Sequence, residues 1–204
     1  MSRYLDKEGI RFRIGSLIYT NETAISNMGS ATDCKSALNG LCDHPEICYG
    51  LKSERLYPNA LPARRRQEIV WKTTPASSFI KALREMWDRN NVKRWRVNEV
   101  NDFSNQEDVD KLNEIANNIP QTVFTYTSNW KLNLTNLAFK VRLSHDFDVP
   151  GISGRAIVIP KGTPAPRGYV LCAKTSKTEV KRCDDGKCGI CYSSSKASIA
   201  FWKH

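Results

Sequence analysis

The chain has 204 residues, of which 40% are apolar, and this length and composition are ordinary for one soluble domain with a full core. The formal net charge is +10, from 31 basic and 21 acidic residues, which is enough to attract polyanions. No apolar run suits a signal peptide or a bilayer span. We therefore expect a single domain, residues 1–204, in a reducing cytoplasm with no membrane partner.

The predicted elements alternate between helix and strand. The first 33 residues have weak signals, with short strands predicted at 11–14 and 17–19 and a polar loop from Ser26 to Thr32. Apolar residues then recur at helical spacing on one helix face, at Phe79, Ile80, Leu83, Met86 and Trp87. The elements predicted after the first loop are helices near Cys48, from Pro62 and from Thr74, a strand at 93–100, a helix from a capping box at Ser104 and Glu107 to Pro120, and strands at 122–128, 138–144, 156–160 and 168–173.

This order indicates an α/β fold built from βαβ units, which requires a parallel sheet. In a sheet covered on both faces the strands should be apolar throughout. Here Trp95 and Val97 alternate with Arg96 and Asn98, and the next two strands also alternate. The pattern predicts a partial barrel or an open parallel sheet, with one apolar face under helices and one polar face.

All seven cysteines fall in two groups, and about 120 residues between the groups contain none. The N-terminal loop, residues 30–50, holds three, and the C-terminal segment, residues 172–204, holds four. Stable disulfides are not expected in a reducing cytosol, and an odd number would leave one thiol over. Metal ligation is the better use of clustered thiols. The predicted metal ligands are Cys34, Cys42, Cys48, Cys172, Cys183, Cys188 and Cys191.

The two groups suggest different sites. The C-terminal group contains a CxxC, Cys188 to Cys191, and its four thiolates can complete a zinc site or an iron–sulfur cluster. Three thiolates on a four-iron cluster leave one iron open to a substrate or cofactor. His44 could instead complete a zinc site with the N-terminal three, although a surface histidine is the commoner explanation. A third arrangement places cysteines from both ends in one site.

A second group of candidates lies on and after the predicted strands. Active sites of parallel sheets form at the carboxyl ends of the strands, where a loop containing Glu99 and Asp102 is expected. The polar side chains of three successive strands should line one cavity beside it. The predicted cofactor-binding residues are Arg96, Asn98, Glu99, Asp102, Thr125, Thr127, Arg142 and Ser144.

Basic residues are partly grouped, most visibly at Arg64, Arg65 and Arg66. Such a group can meet the phosphates of nucleic acid, or it can be a solvated surface. It could also offset the negative charge of thiolate-ligated clusters.

Several of these segments together resemble the phage and plasmid family called gene product 88, over most of the chain from about residue 30. The resemblance rests on the CYG at 48–50, on RVNEVNDF at 96–103, on TYTSNW at 125–130, and on CGICY at 188–192 with a short apolar strand ending at His204. The family usually has glycine where this chain has Asn101. The resemblance implies a cytoplasmic protein of a mobile element in its host cell, with iron–sulfur ligation and a half-barrel like that of radical enzymes.

Two functional hypotheses follow. In the first, the chain binds iron–sulfur clusters, most simply 4Fe-4S, and is a divergent radical S-adenosylmethionine enzyme. The N-terminal spacing differs from that of such enzymes, since seven and five residues separate its cysteines. In the second, zinc stabilises a nucleic-acid-binding module without catalysis. Thiolate ligands alone do not select between zinc and iron.

Overall fold

The computed structural model describes residues 2–15, 21–152, 154–172, 189–192 and 197–203. Within these residues the strands are β1 (Ser2–Leu5), β2 (Arg11–Ile14), β3 (Thr23–Ser26), β4 (Arg94–Val97), β5 (Thr122–Thr127), β6 (Lys140–Leu143), β7 (Gly154–Ile159), β8 (Tyr169–Leu171) and β9 (Ser198–Trp202). The helices are α1 (Lys35–Leu38), α2 (Tyr49–Leu56), α3 (Ala60–Thr73), α4 (Ala76–Asn90) and α5 (Gln106–Asn117), and residues Pro45–Ile47 form a 3-10 turn.

The strands form one open sheet in the order β1-β2-β3-β4-β5-β6-β7-β9-β8. The first three strands pair antiparallel, and every pair from β3 onward is parallel. The prediction of an open, largely parallel α/β sheet is confirmed. Strands β1 and β3 were not predicted from the sequence, and the strand predicted at 17–19 lies outside the described residues.

Helices α4 and α5 cover one face of the sheet. The buried side chains of α4, such as Leu83 and Met86, join Trp95 and Val97 of β4 in the main core. Trp87, which was predicted to share that helix face, is 38% exposed and the prediction was wrong for it. Helix α4 is capped at its C-terminal end by Asn91. The φ of Asn91 is 54°, a left-handed conformation that asparagine tolerates better than most residues.

The cap of α5 also differs by one residue from the predicted capping box. Asn105 is the N-cap, and its side chain accepts a hydrogen bond from the amide of Asp108. Ser104 instead donates its backbone N–H to the carboxylate of Asp108 at 2.7 Å. Asp108 also binds the indole of Trp71 at 2.7 Å, so this carboxylate links α3 to α5.

The predicted faces of β5 were wrong. Thr125 lies beside Val141 of β6, which belongs to the core under the helices, and Tyr126 lies beside Arg142. Thr125 and Thr127 therefore face the helices. Phe124 and Tyr126 share the opposite face with Arg96 and Arg142. The alternation of aromatic and threonine residues gave the period of the strand but not its phase, because both kinds of side chain can be buried.

The opposite face, which we call the arginine face, is covered by the C-terminal part of the chain. Ile25 and Phe124 form a small apolar cluster with Cys191 and Tyr192. The guanidinium group of Arg142 is fully buried and donates to the carbonyls of Ile190 and Ala197. The arginine face is therefore packed against protein at these residues.

Candidate metal centre

The N-terminal cysteine loop lies at the carboxyl edge of the parallel strands. It follows β3, the first strand of the parallel series, and contacts the residues that follow the next strands. The Tyr49 hydroxyl donates to the carbonyl of Glu99 after β4, at 2.6 Å. Six residues before Tyr49 in the same loop, Asp43 contacts His145 after β6. Strand order alone places these segments together, since neighbouring parallel strands end at one edge.

The three N-terminal cysteines occupy turns and helix starts within this loop, and each side chain is partly exposed. Cys34 is the N-cap of α1 and Cys48 is the N-cap of α2. Burial raises the pKa of the Cys34 thiol to about 11, while the backbone amides of Ala37 and Ser36 act to lower it. Burial also raises the pKa of Cys42, against the amide of His44 and the Ser128 side chain.

The cysteines influence one another electrostatically. The negative charges of Cys42 and Asp102 each raise the pKa of Cys34, and those of Cys48 and Asp102 raise the pKa of Cys42. Asp102 is thus close to two of the three thiols. Cys34 is linked electrostatically to Cys42, and Cys42 to Cys48.

Asp102 is a fully buried acceptor at the centre of this region. One carboxylate oxygen accepts from the Phe103 amide at 2.8 Å and the Thr127 hydroxyl at 2.6 Å. The other accepts from the Ser36 hydroxyl at 2.7 Å and the Ser128 amide at 2.6 Å. Burial raises the pKa of Asp102, and the four donors act to lower it.

A second buried carboxylate, Glu54 of α2, holds the start of the loop. It accepts from the amides of Ala31 and Thr32 at 2.8 and 2.9 Å, and from the Thr32 hydroxyl at 2.7 Å. Arg64 donates to the same carboxylate at 2.7 Å and to the carbonyl of Gly50 at 3.1 Å. This ion pair is mostly buried, with 17% of the Arg64 side chain and 2% of the Glu54 side chain exposed.

The neighbouring arginine also binds the loop. Arg65 donates two hydrogen bonds to Asp33, at 2.7 and 3.1 Å, and these hold the pKa of Asp33 at about 2. Arg66 is exposed. Two of the three clustered arginines therefore bind acidic residues of this chain, Glu54 and Asp33. Nucleic-acid binding by the cluster stays a prediction.

Close backbone packing explains two features of the loop and the turn after β4. Asn98 and Asn101 have φ of 57° and 76°, which is the left-handed region of the backbone. This conformation favours glycine, the residue that the gene product 88 family usually has at the position of Asn101. A Cβ atom on Gly50 would lie 2.7 Å from Cγ1 of Val100 and 2.9 Å from Cβ of Ala31. The glycine of the CYG segment is therefore needed because the turn after β4 lies directly against α2.

Replacement of Gly50 by alanine is expected to lower the free energy of unfolding by about 1–3 kcal/mol, because Val100 and Ala31 must move to admit the methyl group. Urea denaturation measures the change. Replacement of Ser77, an exposed residue of α4, by alanine is the control and should stay within about 0.5 kcal/mol of the unaltered protein. An equal stability of the two variants would contradict the packing argument.

His145 is a residue that the sequence analysis did not select. It is 5% exposed, its Nδ1 lies 2.7 Å from a carboxylate oxygen of Asp43, and its Nε2 lies 3.0 Å from the carbonyl of Ser128. A carboxylate and a backbone carbonyl therefore fix the orientation of the imidazole. A histidine directly after a predicted strand was the available signal.

His44, which could have been a fourth zinc ligand, points toward Glu46 and is half exposed. Its Nδ1 lies 3.5 Å from Glu46, and 51% of its side chain is exposed. Among the residues that the structure describes, no three histidine, cysteine, aspartate or glutamate side chains are positioned to hold a single metal ion.

The C-terminal cysteines are described in part. Cys183 and Cys188 lie outside the described residues. Cys191 lies on the arginine face, where the Tyr126 hydroxyl donates to its Sγ at 2.8 Å. Burial and the negative charge of Cys172 raise the pKa of Cys191. The hydrogen bond from Tyr126 and the positive charges of Arg96 and Arg142 act to lower it.

Cys191 and the buried Asp102 contact opposite faces of β5. Asp102, which acts electrostatically on Cys34 and Cys42, accepts from Thr127 on the helix-covered side, whereas Cys191 accepts from Tyr126 on the arginine face.

The predicted cofactor-binding residues do not line one cavity. Arg142 and Tyr126 are in contact with the C-terminal segment, and Arg96 lies over the Tyr126 ring, 5.7 Å from its centroid. Thr125 and Thr127 face the helices. The predicted single polar cavity was wrong for β5, because the phase of that strand separates its threonines from the arginines.

The remaining candidates lie at the carboxyl edge and have partners within the chain. Asn98 accepts from the amide of Met28 at 2.9 Å, and Glu99 pairs with Arg13. Ser144 donates its amide to the carbonyl of Thr127 at 2.7 Å. These contacts tie the carboxyl edge together, and whether any of these residues binds a cofactor stays a prediction.

Comparison with known proteins gives one family match. The family model described as Gene product 88 matches residues 15–146. This range includes the N-terminal cysteines and the turn after β4, and it ends before Cys172. No curated protein and no solved structure matches the chain. Within the described residues, none of the helices combines the length and the apolar composition that crossing a membrane requires.

Proposed function

We propose that this chain, which belongs to the gene product 88 family, binds an iron–sulfur cluster through Cys34, Cys42 and Cys48. The observation that supports the proposal is that one loop, which follows the first parallel strand, carries all three thiols at the carboxyl edge, and that buried Asp102 acts electrostatically on two of them. This edge is where parallel sheets form their active sites.

The donor set fits a four-iron cluster better than a structural zinc ion. Structural zinc takes four protein ligands, whereas His44 faces Glu46 and leaves three thiols. On a cluster, three thiolates can each bind a different iron. When bound, such a cluster supplies one-electron chemistry and one iron without a protein thiolate.

Hydrogen-bond donors offset part of the increase that burial and Asp102 give to the pKa of Cys34 and Cys42. Amides of Ser36 and Ala37 favour the ionised form of Cys34, and the amide of His44 and the side chain of Ser128 favour that of Cys42. The arginines of α3 hold the loop through Glu54 and Asp33, which reduces the entropy that cluster binding must overcome.

For the open iron we propose S-adenosylmethionine as the ligand, which makes the protein a divergent radical enzyme. The support is the count of three thiolates and the sequential parallel order of the strands from β3 to β7. Addition of S-adenosylmethionine should change the electron paramagnetic resonance spectrum of the reduced cluster, and adenosine should not. An unchanged spectrum would reject this ligand and leave the cluster proposal standing.

The four C-terminal cysteines are proposed as a second, structural centre. Cys191 accepts a hydrogen bond from Tyr126, and Cys172, Arg96 and Arg142 act on it electrostatically. Cys191→Ser is therefore expected to lower the melting temperature and the metal content together, because metal ligation contributes to folding free energy. A folded variant with its full metal content would rule out the second centre.

The test of the main proposal is purification without oxygen. The protein should be brown and contain iron and acid-labile sulfide. The visible absorption spectrum and chemical analysis of both elements measure this directly. Colourless protein with stoichiometric zinc would contradict the cluster.

A further inference from the structure

Asp102 lies near the cysteines, is not itself a proposed ligand, and has both carboxylate oxygens fully hydrogen-bonded within the chain. It is 5% exposed, and each of its carboxylate oxygens accepts one backbone amide and one hydroxyl. Three of the donors, Phe103, Thr127 and Ser128, belong to the sheet edge. The fourth, the Ser36 hydroxyl, belongs to the cysteine loop.

The bond from Ser36 is the direct polar link between this carboxylate and the loop. Ser36 is 1% exposed and lies two residues after Cys34, in the first turn of α1. Its 2.7 Å bond to Asp102 spans 66 residues of sequence. A helix of four residues has little stability of its own, so a tertiary contact must hold this turn in place.

Asparagine has nearly the same shape as aspartate but cannot replace Asp102 without losing a hydrogen bond. Each oxygen of Asp102 receives a backbone N–H, from Phe103 on one side and Ser128 on the other. The NH₂ group of an asparagine would face one of these N–H donors in either orientation. This position therefore requires an acceptor on both sides.

We propose that Asp102 is a positioning residue that holds Cys34 in the orientation for cluster binding, through the hydroxyl of Ser36. The proposal rests on the proposed function of the loop as a cluster site. It predicts that the orientation of Cys34 depends on one serine hydroxyl, and that Cys48, on the far side of the loop, is independent of it.

Two matched variants test the proposal. Ser36→Ala removes the donor from the loop, and Thr127→Val removes a hydroxyl donor to the same carboxylate from the sheet. In metal-free protein, alkylation of Cys34 relative to Cys48 is measured by peptide mass mapping. We expect Ser36→Ala to increase this ratio about tenfold, since a lost hydrogen bond to a charged group corresponds to a factor of that order. Thr127→Val should leave the ratio within about twofold.

The cluster-loaded protein gives a second readout. The electron paramagnetic resonance spectrum of the reduced cluster should change in Ser36→Ala and stay unchanged in Thr127→Val, while urea denaturation shows a similar loss of stability for both. An unchanged ratio in Ser36→Ala, or an equal increase in both variants, would overturn the positioning role.

Failure of the two ideas can be told apart. If the unaltered protein binds no iron but the ratio rises in Ser36→Ala alone, the cluster proposal fails and the anchoring of Cys34 stands. If iron is bound and the ratio does not change, only the role of Asp102 fails.

Discussion

Replacement of Cys42 by serine is expected to remove the N-terminal cluster, with loss of about half or more of the iron and sulfide from anaerobically purified protein. Serine cannot supply a thiolate, and two remaining ligands do not retain a four-iron cluster. The same loss is expected for Cys34→Ser and Cys48→Ser, because the three residues belong to one site. Iron and sulfide analysis per chain measures it.

The matched control is Leu38→Ser. Leu38 lies in the same loop and is 64% exposed, so its replacement introduces the same residue without removing a ligand. It should retain full iron content. Equal iron in Cys42→Ser and Leu38→Ser would place the cluster elsewhere in the chain.

Replacement of Glu54 by glutamine is expected to destabilise the protein by about 3 kcal/mol. The buried carboxylate accepts four hydrogen bonds, and each oxygen receives a backbone amide, so the NH₂ of glutamine would face a donor in either orientation. It would also leave Arg64 without its ion-pair partner in a mostly buried position. Urea denaturation near neutral pH measures the loss, and Glu114→Gln, at an exposed position of α5, is the control.

The loss of stability in Glu54→Gln is expected to depend on pH. Burial acts to raise the pKa of Glu54, but its hydrogen bonds prevail and the pKa in the folded protein is lowered. The stabilisation is therefore present above the unfolded pKa of about 4.5 and decreases as the pH falls toward the folded value. The difference between the unaltered protein and Glu54→Gln should narrow at acidic pH. A difference that stays constant from pH 7 to 3 would show that the charge of Glu54 does not stabilise the fold.

The sequence by itself determined the class of fold. Regular spacing of apolar residues located α4 and α5 to within a few residues, and the alternation of helices with strands required a parallel sheet. Parallel connection in turn places the turn after β4 at the carboxyl edge. The two groups of cysteines were also evident, because their positions are read directly from the sequence and do not depend on packing.

Only the tertiary structure decided which side of each strand faces the helices and which polar groups are satisfied within the chain. Thr125 is buried under the helices because β5 pairs in register with β6, and local alternation is the same for either phase. The sequence offered Arg64 as a contact for phosphate and Asp102 as a contact for a cofactor, yet each binds another segment of this chain. A buried charge is stable only where other segments supply its partners, and those partners become neighbours only when the chain folds.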